Sequence, residues 1–459
     1  MSGSAVVVRA SAMPAGTPQV PVAIVGAGAC GLTAALMLRD AGIDCVLLER
    51  DARSQGSTAL SSGFIPAAGT LVQRAAGVHD DSPARFAADI QGKAKGTAAP
   101  HLVAAYVEAI GPAIDALGER HGLAFELLDG FLYPGHGVRR MHTLPRRTGA
   151  ALVAALEAAA LRAGATLLCD ARVCEIWCDA DDRVLGVGYA RPDGAVEYLA
   201  CDALLLACNG FGGNAAMVRE LLPEMRDAIF AGHVGNDGSA IVWGRALGAG
   251  LADLGGYQGH GGWAIPQGAL ISWALMMQGG IQVNARGARF HDETGGYSEA
   301  SVAVLAQPGG IAWIVIDDRL LALGRSFPDF VAAEAAGAVR HAADLQTLAG
   351  LIGCEMHTLG TTLAGTRLAA PYHAIKVTGA LFHTQGGLDI DAHCRVLREA
   401  DGRSFPNLLA AGGAARGVSG NAVWGYLSGN GLLSAVAGGF IAARTAAAIV
   451  AHPIEGRRP

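Results

Sequence analysis

Apolar positions along the chain fall into short blocks separated by glycine-rich turns, and the blocks come in two lengths. Residues 22–25 form a four-residue apolar run of the kind shown by a strand buried on both faces. A glycine-rich turn follows, then an apolar stretch of helical spacing over 32–40 and a second strand run, Cys45–Leu48, ending at Glu49. Further on, the pattern predicts one long helical region over 82–121, a helix over 149–164, a strand over 166–173, a hairpin through 179–198 and a strand over 203–207. Near the other end, 407–411 reads as a strand and 432–449 as a buried helix rather than a membrane span, because Ser434, two glycines and Arg444 interrupt it. Strands alternating with helices predict an α/β fold. Residues 1–18 have neither periodicity nor the charged start, apolar run and cleavage site of a signal peptide, and are expected to be a disordered leader.

The turn after the first strand reads Gly26-Ala27-Gly28-Ala29-Cys30-Gly31. A G-x-G-x-x-G triplet alone is weak evidence. This one leaves a strand, opens a helix and has an acid, Glu49, eighteen residues past its last glycine at a strand end. That context reads as a dinucleotide site: the glycines let a pyrophosphate approach the helix N-terminus, and Glu49 would bind ribose hydroxyls. The segment 55–63 is rich in small polar residues, which an NAD domain does not need and which could line a flavin. No second fingerprint occurs in strand–helix context, so a separate NAD(P)H site is not expected.

Composition narrows the choice. With 459 residues, 51% apolar and 16% charged, the chain is long enough for two or three domains. Glycine occurs 65 times, about twice its usual share, which suits a large cofactor lying against backbone. The net charge of −6 gives no basic footprint for nucleic acid. The lysines are Lys93, Lys95 and Lys376, and no phosphate-binding G-x-x-x-x-G-K-[ST] loop exists. Nine cysteines without a C-x-x-C pair argue against zinc ribbons, dithiol chemistry and attached haem, and no metal is expected. Cys174 and Cys178 read as buried small residues or a metal pair. Free thiols point to a reducing cytoplasm.

Beyond the fingerprint, the motifs are 280–290 (GGIQVNARGARF without its first glycine), 374–377 (AIKV), 383–387 (HTQGG) and 426–431 (YLSGNG). With these the chain resembles the flavoprotein family of soluble fumarate reductases, succinate dehydrogenase flavoprotein subunits and 3-ketosteroid dehydrogenases, over about 22–450. The resemblance implies FAD, bound non-covalently since 55–63 holds no histidine for attachment. It also implies a Rossmann-like FAD-binding domain over 19–233 and 363–459, with a capping domain inserted over 234–362. The FAD contacts it implies are Gly26, Gly28, Cys30, Gly31, Glu49, Arg50, Ser57, Thr58, Ser61, Ser62, Gly63, Val173, Asn209, Gly210, Asn236, Asp237, Gly386, Gly413, Ser428, Gly429 and Leu432. The partners expected are a small-molecule substrate and an electron acceptor: oxygen, a quinone or a carrier protein.

Departures from the fumarate-reductase pattern concern the chemistry. Its proton-donating arginine, four residues after the Glu of R-F-x-x-E, is here Tyr297; its relay positions are Trp273 and Met276; its carboxylate-binding arginine is Tyr426. The ketosteroid branch has tyrosines at both spots: a base matching Tyr297 and a ketone donor matching Tyr426, with Gly429 N–H beside it. A third tyrosine in a Y-P context matches Tyr133 of 131–134. His260 and His383 match substrate-binding histidines of the dicarboxylate branch, and His383 could equally fill a hydrogen bond near FAD. Arg416 could anchor a carboxylate or sit in a structural ion pair. Trp263, Trp273, Trp424, Phe382 and Met276 should wall an apolar pocket, with Trp424 against substrate. These residues imply α,β-dehydrogenation of a cyclic ketone, with Tyr297 as base if the flavin or a neighbouring phenol lowers its pKa. The alternatives are a reductase or dehydrogenase of a carboxylic acid, and an electron-transfer subunit without its own substrate.

Overall fold

The computed structural model describes residues 5–129 and 132–452. Its first sheet has nine strands, with Gln19–Val25 at its centre between Val196–Leu206 and Cys45–Leu48, all parallel. Val22, Ala23 and Ile24 are fully buried, as their unbroken apolar run requires. Helix Ala29–Asp40 covers one face, and the last helix, Asn430–Ala451, packs on it. That last helix is long and apolar enough to cross a membrane, yet Leu433, Val436 and Ala437 are fully buried in the first core.

Several expectations change. The supposed leader contributes strand Val6–Arg9, parallel to Arg172–Cys178: three successive valines can add an edge strand without helical or alternating spacing. The long helical region is two helices, Pro83–Lys93 and Pro100–Glu119, divided where Gly96 and Lys95 take positive φ. The run 166–173 breaks into two strands at Asp170, φ 52°. Cys174 and Cys178 are buried in the second, and no group of three or more potential ligands for a metal occurs among the described residues.

A second, seven-stranded sheet forms the cap around its long strand Tyr372–Thr384. It reaches from Ile229 to Thr384, past the expected end at 362, whereas helix Ser239–Leu247, inside the expected cap, buries Ala240 and Trp243 in the first core. Tyr372–Thr384 is buried along most of its length only once strands distant in sequence pair with it, so its membership was not readable locally. The cap strand Tyr257–Ala264 bulges between His260 and Trp263. A side chain at Gly259 or Gly261 would press on Ser301 Cβ (2.9 Å) or Ala300 Cβ (2.8 Å). Glycine there lets helix Tyr297–Leu305 lie directly on the strand.

Candidate FAD and substrate site

A large cleft runs between the first sheet and the cap, enclosing about 2130 Å³ of empty space with its open mouth included. One half is built from the fingerprint. Gly26 N–H donates to Leu48 O (2.9 Å), and φ of 105° takes the chain out of the strand; a Cβ there would lie 2.6 Å from Ala207 O. Glu49 is buried, and its carboxylate accepts from Ala27 N (2.8 Å) and Asp51 N (3.1 Å), so it also pins the loop. Burial holds its pKa above the usual carboxylate value.

The helix that follows starts at Gly28 with no side-chain cap and no acid in its first turn. Its open N–H groups face the cleft with the positive end of the helix dipole. Thr58 Oγ1 accepts from Ala29 N (3.1 Å), and Asn236 Nδ2 donates to Ser57 Oγ (2.8 Å). Arg50 binds Gly235 O and Asp237 Oδ2 (2.8 and 3.0 Å). Trp243 Nε1, on the cleft wall, is buried without a protein partner. An orphan donor, a helix N-terminus with no acid in its first turn and a glycine cradle fit FAD. The fingerprint loop would hold its pyrophosphate, Glu49 and Arg50 its adenosine end, and 57–63 with the N-terminus of the last helix its flavin.

The other half is aromatic. His260 is sandwiched between Tyr297 (ring centroids 4.9 Å apart) and Phe382 (5.6 Å), with Trp273 edge-on at 5.5 Å. Tyr426 lies 6.1 Å from Tyr297 and 5.6 Å from His383, centroid to centroid. Burial lowers the pKa of His260 to about 3 and of His383 to about 4, so both are neutral. His260 Nδ1 accepts from Gly262 N (2.9 Å), which assigns its proton to Nε2. Tyr297 follows a tight turn at Gly296, φ 128°, anchored by buried Glu293, which accepts from Gln282 N (2.8 Å) and pairs with Arg289. Lys93 ties the same turn to the FAD-binding part through Gly295 O (2.8 Å) and Glu299.

Ser428 Oγ donates to Tyr297 Oη (2.9 Å), and Gly431 N approaches Tyr426 Oη at 3.5 Å. Each phenol thus accepts from the protein and keeps its own proton to donate. Contrary to expectation, the neighbouring phenol does not lower the pKa of Tyr297: burial, then Tyr426, raise it well above 10, against a smaller opposing pull from Ser428. Burial raises Tyr426 and Tyr133 also, Tyr133 being hydrogen-bonded to Ser272.

Of the residues expected at the site, Gly26, Gly28, Cys30, Glu49, Arg50, Ser57, Thr58, Ser61, Ser62, Gly63, Tyr133, Val173, Asn209, Asn236, Asp237, His260, Tyr297, His383, Gly413, Tyr426, Ser428, Gly429 and Leu432 line this cleft. Gly31, Gly210 and Gly386 do not; their missing side chains would collide with Gly26 O, Thr384 Oγ1 and Asp253 O, so they serve close packing. Arg416 lies off the cleft, held by Asp253 (2.7 Å) and Asp389 (3.4 Å). Trp424 is also off it, beneath Lys95 Nζ at 4.4 Å. Trp273 and Phe382 form the wall; Trp263 packs edge-on behind Phe382, and Met276 belongs to the cap core. Phe131 of the Tyr133 motif lies outside the described residues. Sequence reasoning missed Trp243, Ser272 and Asp329, which no motif marks.

Among known proteins, the FAD binding domain family matches residues 21–432. The NADH:fumarate oxidoreductase of Klebsiella pneumoniae is 28% identical over 93% of this chain, which spans only 47% of that relative's length. A probable fumarate reductase of Shewanella frigidimarina is 27% identical over 95% of this chain and 76% of its own. The open conformation of a flavocytochrome c3 fumarate reductase superposes with a TM-score of 0.80 at 25% identity, covering 95% of this chain and 79% of that one. A 3-ketosteroid-Δ4-(5α)-dehydrogenase from Rhodococcus jostii has the same fold, with a TM-score of 0.77 at 24% identity over 96% and 99% of the two chains. A fingerprint cradle fit for FAD, facing an aromatic wall, thus sits in a chain that belongs to the FAD binding domain family of flavin-dependent oxidoreductases.

Proposed function

We propose that the protein catalyses α,β-dehydrogenation of a cyclic ketone. The observation that carries this reading is the absence of cationic side chains from the substrate wall. Among the described residues, the arginines of the cleft, Arg50, Arg147 and Arg172, come from the FAD-binding part; the stretch 229–384 offers His260, Tyr297, Trp273, Phe382 and other uncharged residues, its acids there being Asp329 and Asp237, the latter paired with Arg50. The two histidines are neutral, and Arg416 is committed to two carboxylates. A dicarboxylate would enter without a countercharge, which a buried anion needs. A ketone needs donors, and phenols supply them.

In this reading Tyr426 donates its O–H to the carbonyl oxygen, its own oxygen steadied by Gly431 N–H. That stabilises the enolate charge that develops as the α-proton leaves. Tyr297, in the small fraction that has first released its own proton to solvent, takes the α-proton at its phenolate oxygen, where Ser428 Oγ–H donates to the charge. Bound FAD would accept the β-hydrogen as hydride at N5. The rings of Phe382 and Trp273 exclude water from the reacting carbons. The electrons pass on to oxygen, a quinone or a carrier protein, and the nine free thiols support a reducing, cytoplasmic setting.

A carboxylic-acid substrate is the second reading. It is favoured by His260 and His383 both facing the cleft, and by the relatives named as fumarate reductases. Anaerobic bleaching of the flavin tests both. Bleaching by cyclic ketones and not by succinate-like acids is expected; bleaching by acids alone overturns the proposal, and bleaching by neither leaves an electron-transfer role.

A further inference from the structure

Behind the tyrosine pair, away from the cleft, lies a buried charged group that the chemistry above does not use. Arg140 is completely buried. Its guanidinium makes a double contact with Asp81 (Nε–Oδ2 3.1 Å, Nη2–Oδ1 2.8 Å) and pairs with Asp89, while its face lies 4.5 Å from the centre of the Phe86 ring. Arg140 Nη1 also reaches His136 Nδ1 at 3.3 Å. A guanidinium can only donate, so Nδ1 must accept, and the single imidazole proton resides on Nε2. From there it donates to the Ser428 carbonyl oxygen at 2.9 Å. Ser428 Oγ, on the same residue, donates to Tyr297 Oη.

We infer that His136 and Arg140 are positioning residues for proton exchange: they fix the Ser428 backbone so that its hydroxyl donates to the oxygen of Tyr297. This rests on Tyr297 exchanging a proton with substrate, as proposed above. The chain of contacts is Asp81 and Asp89 to Arg140, Arg140 to His136, His136 to the Ser428 carbonyl, and Ser428 Oγ to Tyr297. An ion pair this deep is a costly way to stabilise a fold, since well-packed apolar residues of equal volume serve as well. Its use here is directional: it fixes one tautomer of one histidine. Burial and Arg140 lower the His136 pKa to about 4, against the pull of Asp89 and Asp81, so the tautomer persists across neutral pH. Around Tyr297 itself stand Tyr426, Tyr133 and Glu299, each of which opposes its ionisation, with neutral His260 stacked on its ring. Ser428 is the hydrogen-bond donor that favours the phenolate there.

The test uses holoenzyme with ring-carbon-labelled tyrosine, whose Cζ resonance reports hydrogen bonding at the phenol oxygen. Tyr297 is assigned by the signal lost in Tyr297→Phe. Ser428→Ala, which leaves the ion pair intact, should move that resonance. It should also shift the pH profile of flavin reduction upward by roughly one to two pH units, the worth of a hydrogen bond to a charged oxygen. His136→Ala should reproduce both effects in part. His136→Gln, which can accept from Arg140 and donate to Ser428, should restore both. If His136→Ala folds with full FAD content and leaves the resonance and the pH profile unchanged, the inference is wrong. If Ser428→Ala leaves the resonance in place, it is equally wrong, even should His136→Ala not fold. If the resonance responds as expected while Tyr297→Phe still turns over at the wild-type rate, the positioning network stands and the role of Tyr297 in catalysis falls.

Discussion

Replacing Tyr297 with phenylalanine removes one oxygen from the aromatic wall and leaves the ring stacked on His260. Two costs follow, and they differ in size. Structurally, Ser428 Oγ loses its acceptor in a buried place, worth about 1 kcal/mol net. The FAD contacts and the cap core are untouched, so the variant should fold and bind flavin normally. Catalytically, a positioned acid–base group contributes on the order of 10²–10⁴ in rate, or roughly 3–5 kcal/mol of barrier. The interaction belongs to the transition state, so apparent substrate affinity should change little. The pH dependence is a second signature. Burial and Tyr426 hold the phenol neutral well above pH 10, so the reactive phenolate is a small fraction at neutral pH. Its fraction, and with it the rate of anaerobic flavin reduction, should rise about tenfold per pH unit below that pKa. The variant should lose this slope. Stopped-flow reduction by a cyclic ketone, from pH 6 to 10, measures both. A variant that reduces flavin at the wild-type rate, or keeps the wild-type slope, refutes the assignment.

Tyr426→Phe should raise the barrier by about 2–4 kcal/mol and weaken ketone binding as well, seen in kcat and in titration with a non-reactive ketone. Arg416→Met should leave substrate saturation unchanged but lower denaturant stability by roughly 1–3 kcal/mol, because Asp253 and Asp389 are left without their partner. His136, His142, His260 and His383 have folded-state pKa values near 4, 4, 3 and 4, below the unfolded value. Their contribution to stability is whole above the unfolded pKa of about 6.5 and is lost as pH falls toward 4, by roughly 2 kcal/mol each at pH 5. Urea midpoints measured from pH 7 to 5 should fall steeply, and a flat profile would count against the buried neutral histidines. Acid or heat should release intact FAD, and flavin left on the denatured chain would show a covalent bond.

The strand–glycine–helix–strand–acid order at 22–49 was legible because each part obeys local rules: backbone sterics for the glycines, burial for the strand. Tyr297 and Tyr426 could be singled out only through the resemblance to the ketosteroid branch, whose tyrosines stand at the same spacing from Glu293 and from Gly429. What failed was whatever depends on contacts distant in sequence. Val6–Arg9 looks structureless until Arg172–Cys178 offers it an edge. Arg416 leaves a substrate anchor and a structural ion pair both open until Asp253 and Asp389 are seen beside it. The ionisation of Tyr297 was misjudged because sequence does not show how completely its surroundings, the rings of His260, Trp273 and Tyr426 among them, exclude water from it. Arg140 and His136 sit four residues apart on an irregular segment with no motif, and only the fold shows that they reach Ser428.

The contact between helix Ala29–Asp40 and helix Asn430–Ala451 joins segments roughly 400 residues apart, with Gly439 so near the Cys30 carbonyl that no side chain fits between them. At about 5–20 residues per second, a ribosome makes the second helix some 20–80 s after the first. For that time the apolar face of the first helix lacks its native cover, and for about half as long so does the edge of Val196–Leu206 where Ser404–Ala410 will pair. The nascent chain must therefore be shielded from self-association while it waits. Cofactor capture waits for the second of these helices, because Gly429 and Leu432 complete the cleft that Gly26 began.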